Sequence, residues 1–136
     1  MDVVSGDLHL VPLGPEHNGA DHAAWSSSIH HIRATPGFPD GSWPRPMSLA
    51  ENLQDLERHA EDFRSRRGFT YTVLDGEGDV IGCVYIYPSK DEAIDAEVQS
   101  WVRADRSDLD RPLYEAVGAW LREDWPFDAV AYAERD

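Results

Sequence analysis

The chain has 136 residues, 26 of them acidic against 12 basic for a formal charge of −14, and 41% are hydrophobic, with five Trp and five Tyr. That is enough apolar material for one domain with a buried core. The charge excludes a nucleic-acid binder or a protein drawn to anionic membranes, because both need Lys and Arg against phosphates; an acidic surface suits a cationic partner or serves solubility alone. The opening MDVVSGDLHLV has no basic region and no long apolar run, and the single cysteine, Cys83, forms no internal disulfide. Both features point to a reducing cytoplasm.

In chain order, residues 6–13 alternate apolar and polar side chains and predict a strand. A helix is expected from Pro15 to about Ile32, with Ala24, Trp25, Ile29 and Ile32 inward. Residues 34–47 hold four prolines and two glycines and read as a long loop, long enough for a functional role. Ser48 and Glu51 form a capping box for a helix over 49–67, with Leu49, Leu53, Leu56, Ala60 and Phe63 as its apolar stripe and Gly68 as its stop. Residues 69–88 predict two antiparallel strands joined at Asp75–Gly78. Val84 and Ile86 fall on one face of the second, Cys83, Tyr85 and Tyr87 on the other. Residues 93–103 predict a further strand with Ala96, Val98, Ser100 and Val102 opposite Glu97, Gln99, Trp101 and Arg103. A helix follows from Pro112, burying Leu113, Val117, Trp120 and Leu121, and Pro126 ends it. A last strand is expected in 127–134. The order β-α-α-β-β-β-α-β defines an α+β layer structure with a mostly antiparallel sheet, one domain over 1–136.

The turn from Trp101 to the helix at Pro112 is a place where many folds hold phosphate, but it has no glycine and it carries Asp105, Asp108 and Asp110. Either carboxylate, Asp108 or Asp110, is suited to cap the helix itself. The His residues are spread along the chain without a close ligand set, so no metal site is expected.

Element order together with DVIGCVYIYP, AEVQSWVRADR and FDAVAYAE resembles the GCN5-related N-acetyltransferase (GNAT) family. The resemblance covers nearly the whole chain. It implies an acyl-CoA-dependent N-acyltransferase that joins acetyl-CoA to a small-molecule or peptide amine, with the donor in the splay beside the family's fourth strand. Val98, Trp101, Val102, Arg103, Arg106 and Arg111 then lie where that family holds its cofactor. Glu97 takes the position of a general base, against the plainer reading of a polar residue on a half-exposed strand. His30, His31, Phe38 and Trp43 fall in the family's acceptor region, and Tyr85 and Tyr87 either line the same cleft or pack the strand.

Two departures qualify this. Where the family's pyrophosphate loop carries two glycine positions, the matching stretch Arg106-Ser107-Asp108-Leu109-Asp110-Arg111 has side chains at both, leaving Arg106 as the leading basic residue. The family also continues past its fifth strand with a helix and two strands, where its thiolate acid often resides, so no general acid carries over. An open edge at 127–133 would then invite a homodimer. The alternative function is an inactive GNAT-like binding or dimerisation module that does not use CoA.

Overall fold

The computed structural model describes residues 3–5, 8–38 and 43–135. Residues 39–42 of the predicted loop, and Gly6 and Asp7 of the predicted first strand, lie outside the described residues. Among the described residues, six strands form one sheet in sequence order: β1 Val3–Ser5, β2 Leu8–Pro12, β3 Phe69–Leu74, β4 Val80–Pro88, β5 Ala96–Val102 and β6 Val130–Tyr132. All neighbours are antiparallel except β5 and β6, which α4 (Asp110–Asp124) joins in parallel. The remaining helices, α1 Asn18–Ser26, α2 Ile29–Ala34 and α3 Leu49–Arg64, occur between β2 and β3.

Each face of the sheet carries its own core. On one, Leu8, Leu10, Val73, Val84, Ile86 and Val98 pack with Leu113, Val117 and Trp120 of α4. On the other, Cys83 and Trp101 pack with Leu13, Ala24, Trp25, Ile32 and Leu56. The alternation predicted for β4 and the stripe predicted for α4 are both observed.

Three local differences have physical causes. The first predicted helix is broken at Ser27–Ser28, with a 3-10 turn at Pro15–His17 before it. Ser27 Oγ donates back to the Ala24 carbonyl, and Ser28 Oγ accepts the N–H of Ala104, so the serines spend their hydroxyls on backbone rather than on helix continuation. α3 ends at Arg64, not at 67, and Arg66 takes the positive φ (60°) of the terminating position. Gly68 has a different job: a Cβ there would lie 2.1 Å from the Tyr87 ring. Finally, Leu49 and Leu53 are exposed, and the buried positions of α3 are Asn52 and Leu56. The helix is rotated so that part of its polar sequence faces inward.

Candidate functional site

That rotation builds a cleft. Asn52, Asp55, Leu56, Arg58, His59 and Asp62 of α3 form one wall, and Tyr85 and Tyr87 of β4 with Gln99 of β5 form the opposite one. Asp21 closes its depth, and Phe38 and Trp43 from the segment after α2 lie across it; the cavity is about 490 Å³. Trp43 is the hub of the aromatic lining. Its ring lies 5.7 Å from Trp25, 6.2 Å from Phe38 and 6.3 Å from each of Tyr85 and Trp101. Gln99 donates to the Gly37 carbonyl at 2.6 Å, tying the same segment to β5.

Asp21 is held by a directed chain of hydrogen bonds. Trp25 Nε1 can only donate, so Asn52 Oδ1 accepts it at 3.1 Å, and the Asn52 amide must then point its protons outward. One reaches Asp21 Oδ2 at 3.1 Å and the other Asn18 Oδ1 at 2.9 Å. Burial pushes the Asp21 carboxyl up to about 6, against the pull of the Asn52 hydrogen bond and of His17 and His22.

A second network lies along α3. The Tyr87 hydroxyl donates to Asp62 Oδ2 at 3.0 Å, which leaves its oxygen free to accept the Nδ1 proton of His59 at 2.9 Å. Thr70 Oγ1 is 3.0 Å from the same nitrogen. Burial, with the nearby Arg58 cation, lowers His59 to about 4, so the imidazole is neutral at ordinary pH. The cleft therefore presents carboxylates at Asp21, Asp55 and Asp62. The single guanidinium among its lining residues, Arg58, is 3.7 Å from Asp55.

Of the residues singled out in the sequence, Phe38, Trp43, Tyr85 and Tyr87 come together here. His30 and His31 line a separate groove with Ser26, Ser28, Arg33 and Pro46. Glu97 is exposed on the same face of β5 as Gln99, accepts from Ser89 Oγ at 3.0 Å, and lines an adjoining hollow that shares Gly37, Tyr85, Tyr87 and Gln99 with the cleft. Val98, Trp101 and Val102 are buried in the two cores, Val98 also bordering that hollow. Sequence reasoning missed Asp21, Asn52, His59 and Asp62. The signal for Asn52 and His59 was the spacing Asn52, Leu56, His59, Phe63, an inward stripe hidden by the two exposed leucines; Asp21 and Asp62 left no such periodic mark.

A mostly antiparallel sheet whose last two strands run parallel around a helix, with a cleft between β4–β5 and the helices preceding β3, defines an α+β fold of known type. It is the fold of the GNAT acetyltransferases. No family profile and no curated protein matches the sequence. Among solved structures, the chain is similar to a Vibrio fischeri ribosomal-protein-S5-alanine acetyltransferase at 14% identity and a TM-score of 0.67, over 89% of this chain and 67% of that one. It is similar to RimL, a ribosomal L7/L12 alpha-N-protein acetyltransferase in complex with coenzyme A, at 13% identity and a TM-score of 0.69, over 91% and 70%. MccE, in complex with acetyl-CoA and AMP, matches at 10% and 0.66, over 88% and 63%. Among the described residues no helix is long and apolar enough to cross a membrane.

The residues of the turn after β5 do not fit acetyl-CoA. Residues 104–109 form 3-10 turns on either side of a kink at Arg106. Each basic side chain there already has a carboxylate: Arg103 pairs with Asp105 at 2.9 Å, Arg106 with Asp75 at 2.9 Å and Arg111 with Glu115 at 3.2 Å. The N-cap of α4 is Leu109, without a side-chain cap bond, which corrects the expectation that Asp108 or Asp110 caps it. Asp110 instead lies in the first turn and accepts from Arg135.

Proposed function

We propose that the chain is a GNAT-fold binding protein for a small organic amine, held as its ammonium ion in the cleft under Trp43. The observation that carries this is the combination of three carboxylates (Asp21, Asp55 and Asp62) with four aromatic side chains (Phe38, Trp43, Tyr85 and Tyr87) on one cavity. Carboxylates supply the charge partner and ring faces supply cation–π attraction, worth about 0.5–2 kcal/mol per favourable contact. The overall charge of −14 raises the local concentration of such a ligand.

Calorimetric titration with phenethylamine and with uncharged phenethyl alcohol tests the reading. The amine is expected to bind at least about tenfold more tightly than the alcohol, and Trp43→Ala to cost a further factor of about ten. Equal affinities, or no amine binding at ~10 mM, would sink it.

A second reading, acyl transfer to that amine with Glu97 taking the ammonium proton, is favoured by the hollow that Glu97 shares with the cleft. The neighbours' acetyltransferase activity supports it at the level of fold only. It requires an acyl donor to reach β5, so its test is turnover of an acyl donor together with the amine, abolished in Glu97→Gln. β6 stands at the edge of the described sheet and is paired to β5 alone. Pairing of a second copy along that edge would appear in sedimentation as a mass of twice 15.3 kDa, and a single-chain mass rejects it.

A further inference from the structure

We infer that Arg135 closes the splay between β5 and β6 from within, so that the position of an acyl donor is taken by the chain's own guanidinium. This does not rest on the amine reading. The parallel ladder runs only from Ala96–Val130 to Val98–Tyr132, and past it the two strands part. Arg135 enters at that point with its side chain 3% exposed. Nη2 donates to the Ser100 carbonyl at 2.9 Å and to Ser100 Oγ at 3.3 Å. Nη1 donates to the carbonyls of Ala133 at 2.8 Å and Pro36 at 3.3 Å, and Nε to Asp110 Oδ2 at 2.8 Å. The guanidinium carbon stands 5.6 Å from the Tyr114 ring centre and 5.7 Å from that of Tyr132, whose hydroxyl meets Ser100 Oγ at 2.5 Å.

One side chain thus links β5, the first turn of α4, the end of α2's following turn and the segment after β6. A planar fork with its N–H groups directed at fixed acceptors is what arginine provides and lysine does not. The two features an anionic acyl carrier would use here are a free carbonyl on the parted strand and the positive end of α4. Arg135 occupies the first, and Asp110, held by Arg135, occupies the second. A carboxylate at that helix end opposes a phosphate, and removing Asp110 would leave the Arg135 guanidinium as a buried charge without its carboxylate.

The test places a thiol in the splay. Ser100→Cys is made in the full chain, with and without Arg135→Ala, and iodoacetamide labelling is followed site by site by mass spectrometry. Buried Cys83 serves as the internal reference for folding. Position 100 is expected to label about tenfold faster once Arg135 is removed, while Cys83 stays slow. Acetyl-CoA titrated into the unaltered chain is expected to give no heat at millimolar concentration. Equal labelling rates at position 100 in the two backgrounds, or micromolar acetyl-CoA binding by the unaltered chain, overturns the inference. Should Arg135→Ala unfold the chain, seen as Cys83 labelling as fast as position 100, Arg135→Lys is read instead. It keeps the charge without the fork and is expected to speed labelling severalfold, an unchanged rate again overturning the inference.

Discussion

Asp21→Asn is expected to make the protein more stable at pH 7.5, by about 2 to 3 kcal/mol, and to remove its amine binding. Asp21 is 4% exposed, and its carboxyl is raised from 3.8 to about 6. The folded chain therefore holds the Asp21 proton more tightly than the unfolded chain does. Stability from this group is present in full below pH 3.8 and is lost as pH rises through about 6. Asparagine keeps an oxygen for the Asn52 amide without the charge, so the loss does not occur. His59 works in the opposite direction: lowered from 6.5 to about 4, it contributes stability that is present above pH 6.5 and lost as pH falls through about 4. Over the interval they share, the two groups offset each other in the unaltered chain, and the substitution exposes the His59 slope. Denaturant unfolding of both chains from pH 3.5 to 7.5 reads the difference. It should be near zero at the acid end and reach its full size above about pH 6. A difference that does not change with pH would show that Asp21 is not the burdened group. Stability given up for a buried carboxylate is the pattern expected of a binding residue rather than a packing residue.

Gly82→Ala is expected to destabilise the chain by about 3 kcal/mol and to weaken the cleft along with it. A Cβ at position 82 would stand 2.3 Å from the Trp101 carbonyl oxygen and 3.3 Å from the Val102 Cα. Both are backbone atoms of the neighbouring strand, so no side chain can swing aside. Gly82 pairs with Val102 on one side and Val73 on the other, next to the irregularity at which Leu74 pairs with Val80. Ile81 is the extra residue of that bulge and packs toward α4, while Cys83 resumes the cleft side. Separating β4 from β5 there would shift Trp101, whose indole donates to the Tyr85 hydroxyl at 3.0 Å. Thermal unfolding is the measurement, and an unchanged midpoint would mean that the strands part without cost. A fall in amine affinity beyond the loss of folded protein would show that the cleft wall moves with the strand.

Much of the architecture was legible in the residues alone. The capping box at Ser48 and Glu51, the Asp75–Gly78 turn, the faces of β4 and the stripe of α4 all follow from local spacing and local hydrogen bonding, and each is observed. The order of elements was enough to assign the fold. What local pattern could not reveal was which side of α3 turns inward. Leu49, Leu53 and Leu56 form as good a stripe as Asn52, Leu56 and His59, and hydrophobicity favours the first. The tertiary structure chooses the second because Asn52, His59 and Asp62 find partners there, in Trp25, Asp21, Thr70 and Tyr87. Partners 11 to 31 residues away leave no mark on a helical period. Arg135 is the same case at longer range, its acceptors Pro36 and Ser100 lying 99 and 35 residues back along the chain. Sequence determined most of the elements, their order from the strand at Leu8 onward and the apolar faces of β4 and α4, since these depend on neighbours within a turn or a strand. Only the folded chain decided which polar groups are buried, because burying them is favourable only where distant segments supply hydrogen bonds.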